Sequence, residues 1–133
     1  MKPILVGKVY RLGRYQVVVE NIEKTPTWQI FKNNKLLKKT AHASTIEVAL
    51  QKAKKFVFKH DGIICRRGKW DFELIGKLFK FQDYDIYISK QPFCFWRVLK
   101  NNEIVQPMKK SRDFKTAIVE AQNFLISQQQ IAQ

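Results

Sequence analysis

The sequence predicts an α+β protein made of two tandem units, each with four antiparallel strands followed by one helix (ββββα–ββββα), related by a pseudo-twofold axis. A block of alternating apolar residues opens on Trp28 and crosses an Asn-Asn pair, and a matching block opens on Trp96, 68 positions later. Each block leads into a helix-like segment with Ala, Ala and Phe in the same register. Upstream, residues 7–10 match residues 76–79 at an offset of 69. Matched blocks at nearly constant spacing indicate an internal duplication, with repeats at 1–62 and 63–133 packed as one compact unit.

Strand and turn signals divide the first repeat into four strands. Alternating apolar residues favour strands over residues 5–12 and 15–20, the latter a β-branched run typical of a sheet. Residues 28–32 and 36–40 are predicted to form a hairpin across Asn33-Asn34, because asparagine tolerates the positive φ of tight hairpin turns. Short connections between successive strands predict an antiparallel meander.

Capping and periodicity predict the helices. Ser44 to Glu47 has the capping-box pattern, with Ser44 as the cap residue, and an apolar stripe with helical spacing follows it. In the second repeat we expect a long strand over residues 70–81, further strands over residues 84–89, 94–99 and 104–105, and a loop at Pro107. The second helix is predicted to begin after Asp113, a favourable cap residue. The two stripes are Ile46, Ala49, Leu50, Ala53, Phe56 and Val57, and Phe114, Ala117, Ile118, Ala121, Phe124 and Leu125.

The formal net charge of +14, from 25 Lys and Arg against 11 Asp and Glu, is the strongest functional signal in the composition. The basic residues are spread through both repeats. A field of this size attracts polyanions, and nucleic acid is the default partner of such a protein. Charge alone leaves open the alternatives that the basic residues serve solubility, or that the protein binds an acidic protein or membrane surface.

The composition also restricts the cellular compartment in which the protein is expected. No apolar run approaches the ~18 residues of a membrane span, and the apolar stretch at the N-terminus is too short for a signal peptide. Two cysteines, Cys65 and Cys94, suit a reducing compartment, although a single disulfide between them stays open. We expect an intracellular protein of the cytoplasm, the nucleoid or an organelle, with no membrane partner.

Strand alternation sorts the side chains of each predicted sheet onto two faces. One face is apolar and is expected to lie under the helices, with Trp28 and Trp96 as core residues rather than base-stacking surfaces. The opposite face mixes apolar and cationic groups, and two interpretations stay open for it. Phe31 and Tyr87 either join the two sheets or two chains, or else stack on bases while Arg11, Lys80 and Arg97 neutralise phosphates.

Three further basic clusters lie in the linker, on the first helix and before the second helix. Guanidinium groups in the linker are the most suggestive, because they bind phosphate bidentately. The candidate nucleic-acid-binding residues are Arg11, Phe31, Lys39, Lys54, Arg66, Arg67, Lys69, Lys80, Tyr87, Arg97, Lys109 and Lys110.

Nothing in the sequence argues strongly for an enzyme, a metal site or a cofactor. His42 and His60 have no recognisable nucleophile motif beside them, and the cysteines lack zinc-site spacing. The acidic residues of the second repeat are interpreted as ion-pair partners for lysines, against the alternative of a Mg²⁺-dependent nuclease site. These residues are Asp71, Glu73, Asp83 and Asp85.

Two ββββα copies from about Val6 to Phe124, in a basic chain with a sheet face of aromatic and cationic residues, resemble the Whirly and positive-coactivator-four group of single-stranded nucleic-acid-binding proteins. That resemblance implies two units packed pseudo-symmetrically, with sheets that bind unpaired strands. The block from Trp28 to Phe56 is also similar to the DNA-binding domains of plant ethylene-response factors and to integrase arm-binding domains, which implies a sheet in the duplex major groove. Both resemblances implicate the same strand positions, chiefly Arg11, Gln29, Lys80 and Arg97.

We therefore expect a non-enzymatic protein that binds nucleic acid mainly through phosphate contacts, with single-stranded DNA or RNA favoured. Duplex DNA is the second expectation, and docking to an acidic protein partner is the alternative from a different class. Assembly into a homo-oligomer stays open.

Overall fold

The computed structural model describes residues 2–21, 25–33, 35–61, 72–90 and 93–131. Within them, an eight-stranded sheet combines with two helices in an α+β fold, which confirms the predicted class. The strands are β1 (Ile4–Leu12), β2 (Tyr15–Glu20), β3 (Thr27–Lys32), β4 (Lys35–His42), β5 (Glu73–Phe81), β6 (Tyr84–Ser89), β7 (Cys94–Lys100) and β8 (Glu103–Ser111). The helices are α1 (Ile46–Asp61) and α2 (Phe114–Ile131), and neither is long and apolar enough to span a membrane.

All eight strands belong to one antiparallel sheet in the order β4-β3-β2-β1-β5-β6-β7-β8. Because β1 pairs with β5, the first four strands form one half of the sheet and the last four form the other half. We call these the first and second half-sheets, and the β1–β5 pair the joint.

Two local predictions are corrected by the structure. α1 is capped by Thr45, whose Oγ1 accepts a hydrogen bond from the backbone N of Val48 at 3.1 Å, and not by Ser44. This start lets Ile46 pack against the core. β8 continues through Pro107, where a loop is expected, because an edge strand tolerates a residue without an N–H. The prediction for Asp113 is confirmed, since its Oδ1 accepts a hydrogen bond from the backbone N of Thr116 at 2.7 Å.

The helices cover one face of the sheet. α1 packs on β2 and β3, and α2 packs on β6, β7 and β8. The two tryptophans predicted as core, Trp28 and Trp96, are buried under α1 and α2 respectively. Ring contacts connect each tryptophan to its helix, Trp28 to Phe56 and Trp96 to Phe124. The assignment of these residues to the apolar, helix-covered face is confirmed.

The other face of the sheet is concave and forms a third core that joins the two half-sheets. The rings of Phe31 on β3 and Tyr87 on β6 lie with centroids only 5.3 Å apart. Four strand spacings separate β3 from β6 in the sheet order, which on a flat sheet would place these residues about 19 Å apart. The sheet is therefore strongly curled, and the mixed face of the sequence prediction is its inside.

Irregular pairing at the joint contributes to the curl. Two register shifts interrupt the β1–β5 pairing, one between Leu5 and Gly7 and one between Val9 and Tyr10, and such bulges bend a sheet and increase its twist. Next to them, the backbone comes very close to its neighbours. A Cβ built on Gly7 would lie 2.2 Å from the carbonyl O of Val19, and one on Gly76 would lie 1.9 Å from the carbonyl O of Ile88. Only glycine fits at these two strand positions.

Candidate nucleic-acid interface

The structure corrects the expectation that Phe31, Tyr87 and Arg97 offer an open surface. Their exposed fractions are 0%, 3% and 2%, because the curled sheet encloses them. The guanidinium carbon of Arg97 lies 4.2 Å from the centroid of the Phe31 ring, and its Nη1 donates to the carbonyl O of Asn33 at 3.0 Å. Of the two interpretations of the mixed face, the one in which these residues join the half-sheets holds.

A polar network closes the concave face around these rings. The Tyr87 hydroxyl donates to Oε1 of Gln29, whose Nε2 donates to Oδ1 of Asn102 at 2.9 Å. The same oxygen accepts the backbone N and the hydroxyl of Thr40, at 3.1 and 2.8 Å. Burial raises the pKa of Tyr87 well above its usual value and lowers the pKa of Arg97 to about 10. At neutral pH the tyrosine is therefore neutral and the arginine charged.

Two more predicted cations are paired with carboxylates. Arg11 forms an ion pair with Glu73, which lies directly opposite it across the joint. Nζ of Lys80 lies 3.0 Å from Oε1 of Glu20 and 3.9 Å from Oδ1 of Asp85. A phosphate would have to compete with these carboxylates, so these two residues are weaker phosphate ligands than the sequence suggests.

Three more of the predicted lysines, Lys54, Lys109 and Lys110, lie against rings. Nζ of Lys54 lies 5.7 Å from the Phe58 centroid, and that of Lys109 lies 6.0 Å from the Trp96 centroid. Nζ of Lys110 is much closer to its ring, 4.1 Å from the Phe93 centroid. Arg66, Arg67 and Lys69 lie outside the described residues, and so does the side chain of Lys39 on β4.

Sequence reasoning missed a groove over the joint, on the helix-covered side of the sheet. It has a volume of about 460 Å³ and runs between the first residues of the two helices, Ile46 of α1 and Phe114 of α2. Exposed Leu5 and Leu74 line it together with the two joint glycines. We call it the central groove. The Gly-Lys pairs at residues 7–8 and 76–77 are the sequence signal that could have located it.

Lysines give the central groove its charge. Lys8 on β1 and Lys77 on β5 are direct cross-strand partners, and both are exposed. Like charges placed directly opposite each other destabilise a sheet. None of the described residues that line the groove is Asp or Glu, so no carboxylate in the described part of its wall offsets this repulsion. An anion bound between the two ammonium groups would relieve it.

A third lysine extends the charge toward α2. The ammonium groups of Lys77 and Lys90 each lie 5.5 Å from the centroid of the Phe114 ring. The backbone N of Lys90 donates to the carbonyl O of Ile75 at 2.7 Å, which fixes this residue at the end of β6 beside the joint. Three lysines therefore line the central groove.

A second depression of about 570 Å³ adjoins the central groove and shares Lys90 and Phe114 with it. Phe93, Lys110 and Arg112 line this depression, which we call the β7-end patch. Its carboxylate, Asp113, caps α2 through Oδ1, while its Oδ2 accepts a hydrogen bond from Nε of Arg112 at 3.3 Å. Hydrogen bonds from Thr116 hold the pKa of Asp113 below the usual value. The groove and the patch together form a continuous row of cationic and aromatic side chains.

Within the part of the chain that the structure describes, no group of three His, Cys, Asp or Glu side chains is placed to hold a metal ion. Of the acidic residues, Glu73 pairs with Arg11, and Asp85 is largely buried. Burial raises the pKa of Asp85 to about 6. Cys94 carries a free thiol, and Cys65 and Asp71 lie outside the described residues.

Comparisons with protein-family models, with curated proteins and with solved structures found no match to this chain.

Proposed function

We propose that this chain is a non-enzymatic nucleic-acid-binding protein that holds a sugar–phosphate backbone along the central groove and the β7-end patch, with single-stranded DNA or RNA favoured. The observation that carries the proposal is the cross-strand pair of Lys8 and Lys77 over the joint. Two exposed lysines lie opposite each other in the strand register there and both line the groove, with no carboxylate among the described lining residues. Phosphate is the polyanion group that fits such a pair.

A polymeric ligand fits better than a single anion. The groove and the patch share Lys90 and Phe114, so cations continue from the joint to Lys110 and Arg112. The net charge of +14 adds a long-range attraction that steers a polyanion toward this surface. One strand can therefore contact the lysines of both half-sheets at once.

The rings along the row favour an unpaired strand. Base faces are available for stacking only where they are not already stacked and paired in a duplex, and aromatic platforms beside cations are typical of proteins that bind single strands without sequence preference. Phe114 and Phe93 lie beside the lysines of the row. Duplex DNA and an acidic protein partner are the competing ligands.

We also propose that the two half-sheets and their helices are duplicated ββββα repeats, residues 1–62 and 63–133, related by a pseudo-twofold axis through the joint. Support comes from matched positions: Gly7 and Gly76 both make close backbone approaches, and Lys8 and Lys77 are partners across the joint. The central groove then lies on the axis, and each repeat contributes the same lysine to it.

The test compares two double variants that lose the same charge. Lys8→Gln/Lys77→Gln removes the groove pair, and Lys52→Gln/Lys59→Gln removes two exposed lysines of α1 that do not line the groove. Binding to a fluorescently labelled single-stranded oligonucleotide is titrated at several salt concentrations. The slope of log K against log salt is negative, and each lost phosphate contact reduces its magnitude by about 0.7. We therefore expect the magnitude to fall by about 1.4 for the groove variant only.

Three outcomes contradict the proposal in different ways. If the unmodified protein, freed of contaminating nucleic acid, binds no oligonucleotide at low salt, docking to an acidic protein becomes the better hypothesis. If both double variants weaken binding equally, the charge acts as a diffuse field and the groove has no special role. If a duplex competes as well as a single strand of the same length, the preference for unpaired strands is wrong.

A further inference from the structure

We propose that Phe93 is a stacking platform for one unpaired nucleobase, and that the ammonium group of Lys110 leaves the ring when the base arrives and binds the adjacent phosphate. This inference rests on the proposed function and deepens it. It assigns a base-binding position to the β7-end patch, whereas the lysines of the central groove offer only phosphate contacts.

The exposure of Phe93 is the first observation. Its exposed fraction is 53%, and it is the aromatic member of the exposed large hydrophobic residues in the described part of the chain. The ring lies beside Lys110 and Arg112 in the patch. An exposed apolar ring gains free energy when a planar partner covers it. A nucleotide matches this site, because its base can stack on the ring while its phosphate contacts the cations beside the ring.

The geometry around the ring is already that of a platform. Phe95 contacts it edge-on, with centroids 6.2 Å apart and an interplanar angle of 77°, which supports the ring from the side. Lys110 is the cross-strand partner of Phe95 on β8, so the pairing of β7 with β8 brings Phe93, Phe95 and Lys110 together. The Lys110 ammonium lies 4.1 Å from the Phe93 centroid, over the surface that a base would occupy.

The exchange follows from the relative strength of the two contacts. An ammonium group on an exposed ring gains little, because it gives up part of its hydration. A nucleobase covers the whole ring and gains more from the same surface. Lys110 is exposed and has a flexible four-carbon stem, so its ammonium group can move from the ring to the phosphate of the stacked nucleotide, which carries the opposite charge that the ring lacks.

The test measures affinity for three ligands by fluorescence anisotropy: a single-stranded oligonucleotide, the same strand with every base removed, and a duplex. The variants are Phe93→Ala and Phe93→Trp, with Val119→Ala on α2 as a control of similar exposure, 52%. We expect Phe93→Ala to weaken binding of the intact strand by about 5- to 100-fold, the range that base–aromatic stacking gives. Binding of the abasic strand and the duplex should not change, and Phe93→Trp should bind at least as tightly as the original.

A second variant tests the exchange. Lys110→Gln should weaken binding of the intact strand and reduce the magnitude of its salt slope by about 0.7, as loss of one phosphate contact requires. It should weaken binding of the abasic strand less, because no base displaces the ammonium group from the ring. A salt slope that Lys110→Gln leaves unchanged would show that this lysine never reaches a phosphate.

The outcomes separate this inference from the function on which it rests. If the unmodified protein binds none of the three ligands, the proposed function fails and the platform fails with it. If it binds but Phe93→Ala has no effect on the intact strand, the platform alone is overturned. Equal weakening for intact and abasic strands would also overturn it, because the ring would then act without a base.

Discussion

The two faces of the sheet use the same types of residue in opposite ways. On the concave face, Arg97 is enclosed between rings, and Lys80 is paired with Glu20. On the helix-covered face, Lys8 and Lys77 face each other in the open groove. A mixed pattern of cations and aromatics in the sequence therefore predicts a binding surface only when the curvature of the sheet is known. Here the curvature turns the more obvious face inward and leaves the groove as the candidate interface.

The largest expected effect comes from a change at the joint itself. Gly76→Ala places a Cβ 1.9 Å from the carbonyl O of Ile88, a backbone atom that can give way only if β5 and β6 separate. We expect the free energy of unfolding to fall by about 3 kcal/mol or more, in the range of severe strain in a core. Urea denaturation followed by circular dichroism measures the change.

Gly13→Asn is the matched control for that substitution. Gly13 sits in the β1–β2 turn with φ of 61°, a conformation that asparagine tolerates. The free energy of unfolding of the Gly13→Asn variant should differ from that of the original protein by a few tenths of a kcal/mol at most. A fully stable Gly76→Ala protein would mean that the close approach of β5 and β6 does not hold the curl.

An intermediate effect is expected on the concave face, from Asp85. Burial raises its pKa from 3.8 to about 6, with the charge of Lys80 opposing and that of Glu20 adding to the shift. Between these two values the folded protein binds a proton that the unfolded chain releases. The free energy of unfolding should therefore increase as pH falls from about 7 to about 4, by up to about 3 kcal/mol.

Asp85→Asn isolates this contribution, because the amide cannot titrate. The difference in stability between the two proteins, measured by urea denaturation at a series of pH values, should be constant above about pH 7 and change progressively between about pH 6 and about pH 4. Other carboxylates titrate in both proteins and cancel from the difference. A difference that stays constant from pH 4 to 7.5 would show that Asp85 is solvated and that the concave face is more open than the structure has it.

The smallest effect is expected in the central groove, and its sign is unusual. Lys8→Gln removes one member of the like-charged cross-strand pair, so we expect the free protein to become more stable by about 0.5 kcal/mol at low salt while its affinity for oligonucleotide falls. The gain should shrink at high salt, where the repulsion is screened. Lys52→Gln on α1 serves as the control, and loss of stability in Lys8→Gln would indicate that the lysines do not repel each other.

Local patterns in the sequence were enough to predict the strands and helices. Alternation located β2 and β6 at their observed bounds, and helical spacing identified the stripes of α1 and α2 that pack on the sheet. The same alternation assigned Trp28 and Trp96 to the covered face. The loop prediction at Pro107 was wrong. A proline on an edge strand removes no hydrogen bond of the sheet, and the sequence alone does not distinguish it from a proline in a loop.

The curl and the groove depend on contacts that no local pattern contains. Residues of β1 and β5 lie far apart in the chain, and only their pairing places Lys8 opposite Lys77 and brings the bulges and glycines into one bend. For the same reason, the burial of Phe31 against Tyr87 follows from the joint and not from either strand alone. The matched glycines inside two strands are the one local hint, since glycine within a strand often marks a bend or a close backbone approach.

Under the proposed function, the location of the groove lysines on opposite sides of the joint would link ligand binding to the pairing of the two half-sheets. Each helix packs on its own half-sheet, but Lys8 and Lys77 become neighbours only when β1 and β5 have paired. A nucleic-acid strand that contacts both lysines would hold β1 and β5 together across the joint, and its binding energy would add to the stability of the whole molecule through mass action. An oligonucleotide should accordingly raise the melting temperature, whereas a chain in which β1 and β5 have separated should not bind it at both lysines.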